Sequence, residues 1–197
     1  MKIEHSMSPN SFYIKKENDS FTSYLGMLIA IASFAMLFIA LLASYGVLRT
    51  RAGLWMSYTI GDIPLWLSWI NTSVIVISSS TYYKVSHFFS EGNDNKTQFW
   101  LGATFLIGIV FLAMQWYLWN LLISDGFTIS AHQAGAVFYM LSGLHALHIV
   151  GGLILLIWLS HKIKKSTTNH NSVKIVGLFW HFLTLVWITI FITVILL

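Results

Sequence analysis

The hydrophobic positions of this chain gather in long blocks, and the polar positions gather in the short stretches between them, with no sustained alternation at strand period. A helix needs about 20 predominantly apolar residues to cross the hydrocarbon of a bilayer. By that measure the pattern predicts spans over residues 24–48, 63–83, 98–123, 131–162 and 173–197, preceded by a polar tail, residues 1–22. The expected fold class is therefore all-α, a polytopic membrane bundle of five transmembrane helices forming a single domain over residues 23–197. The tail lacks the short apolar core and small-residue cleavage site of a signal peptide and is expected to be flexible and cytoplasmic.

Boundary residues refine these spans. Arg49 and Arg51 close the first, whose small residues Gly26, Ala30, Ser33, Ala40, Ala43 and Ser44 would let another helix approach closely. Asp62 is a candidate N-cap for the second, with Pro64 in the first turn, where a missing N–H does no harm. Residues 84–96 read as a solvated loop, Thr97 as the cap of the third span and Asp125-Gly126 as its stop. Ser130 and Gln133 make a capping-box pattern that starts the fourth helix near Ala131, longer than a bilayer requires and so tilted or projecting.

Charge adds orientation. Nine of the Lys and Arg residues fall in the tail and in the loops after the second and fourth spans, against Arg49 and Arg51 on the other side. Basic loops stay in the cytoplasm, so the N-terminus is expected inside and the C-terminus outside. The same assignment accounts for the net charge of +4 without nucleic acid. Cysteine is absent, which excludes disulfides, thiolate-bound metals and iron–sulfur clusters in this chain.

Candidate chemistry is confined to a few polar residues inside the spans, which carry no Asp, Glu or Arg, and Lys only near their ends, at Lys162 and Lys174. His145 and His148 lie on one stripe of the fourth helix with Leu141, Gly152 and Leu155, beside a small-residue strip of Ser142 and Ala146. His181 follows Trp180 in the fifth span. Gln115 is the deepest amide of the third, and is expected to face protein. The second span is unusually polar in its middle, with Ser68, Asn71, Thr72, Ser73 and the run Ser78 to Thr81.

Three readings compete for these residues. An imidazole in hydrocarbon must be paired, coordinated or set against water. Paired histidines from two helices could ligate a b-type haem, but His145 and His148 are too close along one face for two stacked haems, and no intramembrane Arg or Lys waits for propionates. A proton channel or transporter would call for mid-membrane ionisable groups, broken helices or internal repeats, and the chain offers histidines alone. The third reading has His145, His148 and His181 forming or bordering an interhelical hydrogen-bond cluster, and hydroxyls bonding back to their own helix or across to a neighbour.

Two ordered motifs carry a family resemblance. The run Ser142-Gly143-Leu144-His145-Ala146-Leu147-His148-Ile149-Val150-Gly151-Gly152 resembles the Thr-Gly-x-His-Gly-x-His-Val-x-x-Gly signature of subunit III of haem-copper terminal oxidases. Phe179-Trp180-His181-Phe182-Leu183-Thr184-Leu185-Val186-Trp187 resembles that family's closing Tyr-Trp-His-Phe-x-Asp-x-Val-Trp. Gln115 with Trp119 and Gly126, and Leu65-Trp66-Leu67 through Ser78-Ser79, match in order, so the likeness covers about residues 21–197 and is closest to the short five-helix form. The chain departs from the family pattern at Phe34, after Ser33, and at Thr184, where acids are usual, and at Ala146, where glycine is.

The resemblance implies a non-catalytic subunit of a complex that reduces oxygen and translocates protons, in the plasma membrane of a bacterium. Haems and copper would belong to subunits I and II, with no metal and no cofactor in this chain. Its partners would be those subunits, membrane phospholipid, and further small subunits or a respiratory supercomplex. The subunit would pack on subunit I, supporting its stability and proton uptake. Cytochrome c is the expected electron donor and quinol the alternative. Catalytic residues are not expected here; His145, His148, His181, Trp180, Gly143, Gly152 and Gln115 are expected to act structurally, between helices.

Overall fold

The computed structural model describes residues 9–51, 65–126, 133–165 and 167–196. Its elements within them are all helices: α1 (Pro9–Arg51), α2 (Leu65–Ser90), α3 (Asp94–Ser124), α4 (Gln133–Lys164) and α5 (His170–Ile190), the last continued by a π-helical turn, Phe191–Leu196. Phe21–Leu48, Asp94–Ser124, Gly135–Lys164 and His170–Val194 are each long and apolar enough to cross a membrane. The 26 residues of α2 are long enough, but its hydroxyls and amides keep it below that apolarity. The chain is a membrane helix bundle.

Several ends move from where the sequence pattern placed them. Helix α1 begins at Pro9, so part of the expected tail is helical; proline is well tolerated as a first helical residue because its absent N–H is not needed there. Helix α2 runs to Ser90, seven residues past its expected end, which shrinks the loop to a tight turn at Glu91, Gly92 and Asn93. Gly92 takes φ 73°, a conformation that a Cβ disfavours. Asn93, not Thr97, caps α3: its side-chain oxygen accepts from the Lys96 N–H at 3.1 Å. Thr97 is buried one turn inside and donates to the Asn93 carbonyl. Helix α3 stops as expected at Asp125 and Gly126, whose φ is 83°. The candidate caps Asp62, Pro64 and Ser130 lie outside the described residues.

Helices α2 and α3 form an antiparallel hairpin stitched at two levels, by Asn71 to Gln115 and by Ser78 to the Thr104 carbonyl. Helix α5 is the post of the bundle: it packs on α1, α2 and α4, and touches α3 through Trp180 and Trp187, two of the largest fully buried side chains. Helix α1 lies at the edge. It meets the bundle through Met27, Ile31, Phe34 and Phe38, and Phe38 is its one buried side chain among the described residues. Within the chain, Ser33, Ala40, Ala43 and Ser44 of its small residues are exposed, and a Cβ on Gly26 would meet nothing within 4 Å. Large side chains reach α4 and α5 better, because they bury more area per residue at the rim of a bundle.

Candidate functional site

His145 is fully buried at the crossing of four helices. Trp187 of α5 lies nearly along it, with ring centroids 5.2 Å apart, while Phe111 of α3 and Phe38 of α1 meet it edge-on at 6.0 and 6.3 Å. Neither ring nitrogen has a hydrogen-bond partner among the described residues. Contacts with aromatic faces offset part of the cost of burying such a group, through the negative potential above each ring.

One turn on, His148 shares Phe38 with His145, at 5.5 Å, and takes the edge of Phe34 at 4.4 Å. The residue that departs from the family pattern thus packs directly on the second histidine of the motif. Its Nδ1 donates to the Leu144 carbonyl oxygen at 2.6 Å, a bond within its own helix that sets the tautomer, because a carbonyl can only accept.

His181 lies elsewhere. It is exposed on α5, with Nδ1 2.6 Å from the Ser79 hydroxyl of α2 and its ring edge-on to Tyr82 at 5.9 Å. Its neighbours are α2 residues, whereas those of His145 and His148 come from α1, α3 and α5. The three histidines do not build one hydrogen-bonded cluster: of their hydrogen bonds to described residues, only that from His181 to Ser79 joins two helices.

Trp180 is clamped between two glycines. A Cβ on Gly152 of α4 would stand 2.9 Å from its Cζ3, and one on Gly108 of α3 would stand 3.0 Å from its Cη2. The indole therefore occupies the space that two absent side chains leave, and holds α3 and α4 at a common distance from α5. Tyr82 fills a similar place on α2, reaching to 2.5 Å from a Cβ position on Gly177 while its hydroxyl donates to the Val173 carbonyl at 2.7 Å. Gly143 is different: a Cβ there would meet nothing within 4 Å, so it is not at a close helix contact within the chain.

Gln115 faces protein, only 1% exposed, and accepts from the Asn71 amide at 2.9 Å. Beside it the Trp187 indole donates to Thr72 at 3.2 Å, and Thr72 donates to the Ser68 carbonyl. Most hydroxyls of α2 bond back in the same way: Ser73 to Trp69, Ser80 to Val76 and Thr81 to Ser78. They seal the helix's own carbonyls.

Gly108, Gly177 and Trp187 were not singled out by the sequence pattern as contact residues, whereas Asn71 was among the polar residues of the second span expected to bond within the helix or across to a neighbour. Gly108 and Gly177 sit in apolar runs without any marker, and which ring fills each gap depends on a partner helix. Trp187 closes the second motif, a position that in retrospect pointed to His145. Among the described residues no three of His, Asp or Glu come together to hold a metal ion. The surroundings of His145 are filled by Phe38, Phe111 and Trp187, so the residues do not fit a haem ligated there.

Comparison with known proteins agrees with the two motifs. The family described as Cytochrome c oxidase subunit III matches residues 18–197. A probable cytochrome c oxidase subunit 3 of Nocardia farcinica is 34% identical over 174 residues, 86% of this chain and 85% of that one. Cytochrome c oxidase subunit 3 of Synechocystis is 34% identical over 177 residues, 87% of this chain and 74% of that one. Subunit 3 of the cytochrome bo(3) ubiquinol oxidase of Pseudomonas aeruginosa is 32% identical over 170 residues, 84% of this chain and 80% of that one. With the motifs, the helical bundle and these likenesses in agreement, the chain belongs to the cytochrome c oxidase subunit III family and is a subunit III of a haem-copper oxidase.

Proposed function

We propose that this chain is the non-catalytic subunit III of a proton-pumping cytochrome c oxidase in a bacterial plasma membrane, packed on subunit I and supporting its stability and proton uptake. The family match over residues 18–197 carries the reading. The interior supports it. Some of its polar groups join helices, as between Asn71 and Gln115 or Tyr82 and Val173, and His145, His148 and His181 sit among rings or on hydroxyl and carbonyl oxygens. Without a carboxylate inside the spans, the chain's help to proton uptake would be indirect, by covering and bracing the neighbouring subunit. The basic loops support an N-terminus in the cytoplasm.

Haem and copper, held by subunits I and II, would supply the oxygen chemistry of the complex. The likeness to a ubiquinol oxidase subunit keeps quinol as a second reading for the electron donor. Purification of the tagged chain in mild detergent should bring down subunits I and II with a haem difference spectrum, and oxygen uptake should follow addition of reduced cytochrome c. Uptake with ubiquinol alone would select the second reading. Purification of the chain with no oxidase subunit would refute both.

A further inference from the structure

The carboxamides of Asn71 and Gln115 are each only 1% exposed, and a single hydrogen bond, from Nδ2 to Oε1 at 2.9 Å, joins them. Their other polar atoms, Asn71 Oδ1 and Gln115 Nε2, have no hydrogen-bond partner among the described residues. A flat, reciprocal amide pair would close a second bond between those two atoms. That bond is not made, so the joint keeps an open acceptor and an open donor on two groups already in contact. Exchanging the oxygen and nitrogen of both amides leaves the account unchanged, since one donor and one acceptor stay open either way. The Ser68 hydroxyl, one turn back on the same buried stripe of α2, also has no partner among the described residues. Its neighbour Thr72 is engaged with the Ser68 carbonyl and the Trp187 indole. Further along the same hairpin the buried hydroxyls are satisfied by protein: Ser78 donates to the Thr104 carbonyl, and Thr104 donates to that of Trp100. Open polar groups are thus a property of this level of α2 and α3, not of the hairpin as a whole.

A buried polar atom left unpaired bears the full cost of its desolvation. A donor, an acceptor and a hydroxyl gathered on adjacent turns are the two to four partners that hold a buried water. We infer that the Asn71–Gln115 joint is a binding site for an ordered water molecule, which accepts from Gln115 Nε2, donates to Asn71 Oδ1 and makes its remaining bond with the Ser68 hydroxyl. The water closes the ring that the two amides leave open, so that α2 and α3 are held at this level by a direct bond and a bridged one. His145, held among Phe38, Phe111 and Trp187, is not part of the site. Every ligand of the water belongs to this chain, so the site is independent of which oxidase subunits surround it.

The test uses the chain in the complex in which it is purified. A density map that resolves ordered water should show one within hydrogen-bonding distance of both the Gln115 and the Asn71 carboxamides. A map of that quality with the two amides bonded to each other twice, or with no water between their free ends, would overturn the inference. In a sample carrying nitrogen-15 in its Gln and Trp side chains, magnetisation from water protons should reach Gln115 Nε2 and fail to reach the equally buried Trp180 indole, which is packed on Gly108 and Gly152. Transfer to Gln115 no greater than to Trp180 would also overturn it. Asn71→Leu removes the acceptor and should abolish the transfer to Gln115; Ser68→Ala removes one partner and should weaken it. Undiminished transfer in either variant, once folded, counts against the inference in the same way. The map and the parent spectrum decide the matter even if Asn71→Leu fails to fold.

Discussion

The Trp180 indole sits where a side chain on Gly152 would have to go, with its Cζ3 2.9 Å from the Cβ position of that glycine. Substitution there should displace the ring that spaces α3, α4 and α5. Gly152→Leu is expected to destabilise the chain by about 1–3 kcal/mol, as overpacking of a tight core does. Gly143→Ala, on the same helix but facing open space, should change stability by no more than about 0.5 kcal/mol. Denaturant titration in detergent micelles compares the two.

Asn71 and Gln115 join α2 to α3 inside the bundle, away from bulk solvent. Gln115→Leu should cost about 1–3 kcal/mol, because it strands the Asn71 amide. Changing both residues to leucine should cost less than the sum of the single changes. The coupling read from that double-mutant cycle is expected at roughly 0.6–2 kcal/mol, the range for hydrogen bonds between membrane helices.

Phe34 meets His148 edge-on, so the contact depends on a ring and not on apolarity alone. Phe34→Leu keeps most of the volume and should lose about 0.5–1.5 kcal/mol. The imidazole protons of His148 should shift at the same time, because the ring current of Phe34 is gone. Unchanged His148 resonances in a selectively labelled sample would contradict the packing described.

His145 makes no hydrogen bond to the described residues, and its surroundings are rings. His145→Phe should therefore be tolerated, within about 1.5 kcal/mol of the parent, as for other swaps of similar shape. The purified complex should keep its full haem difference spectrum. Loss of a haem band in this variant would show that the histidine is a ligand after all.

A good part of this protein was legible in the chain itself. Bilayer thickness dictates the length of an apolar block, so the blocks betrayed the helices before any contact was known. The stop at Asp125 and Gly126 was equally local, because a residue at φ 83° is chosen by the backbone of its own turn. The stripe that carries His145 and His148 also followed from helical period alone, and both do share Phe38. The two histidine motifs already pointed to the family.

Partners across helices were not legible. Periodicity says which residues share a face and nothing about what that face meets, so the histidines of the two motifs separated: His145 entered a cage of rings, while His181 turned outward beside Ser79. The glycines divided for the same reason, Gly152 lying against Trp180 and Gly143 in open space, although they stand nine positions apart in one motif. The apolar pattern of the sequence determined that the chain forms a bundle of membrane helices, because backbone polarity allows only helices or closed barrels in hydrocarbon and unbroken apolar blocks of this length fit helices. Only the packing of α5 among the other four decided which polar groups join helices in the interior, as Asn71 and Gln115 do, and which, like His181, stay on the outer face.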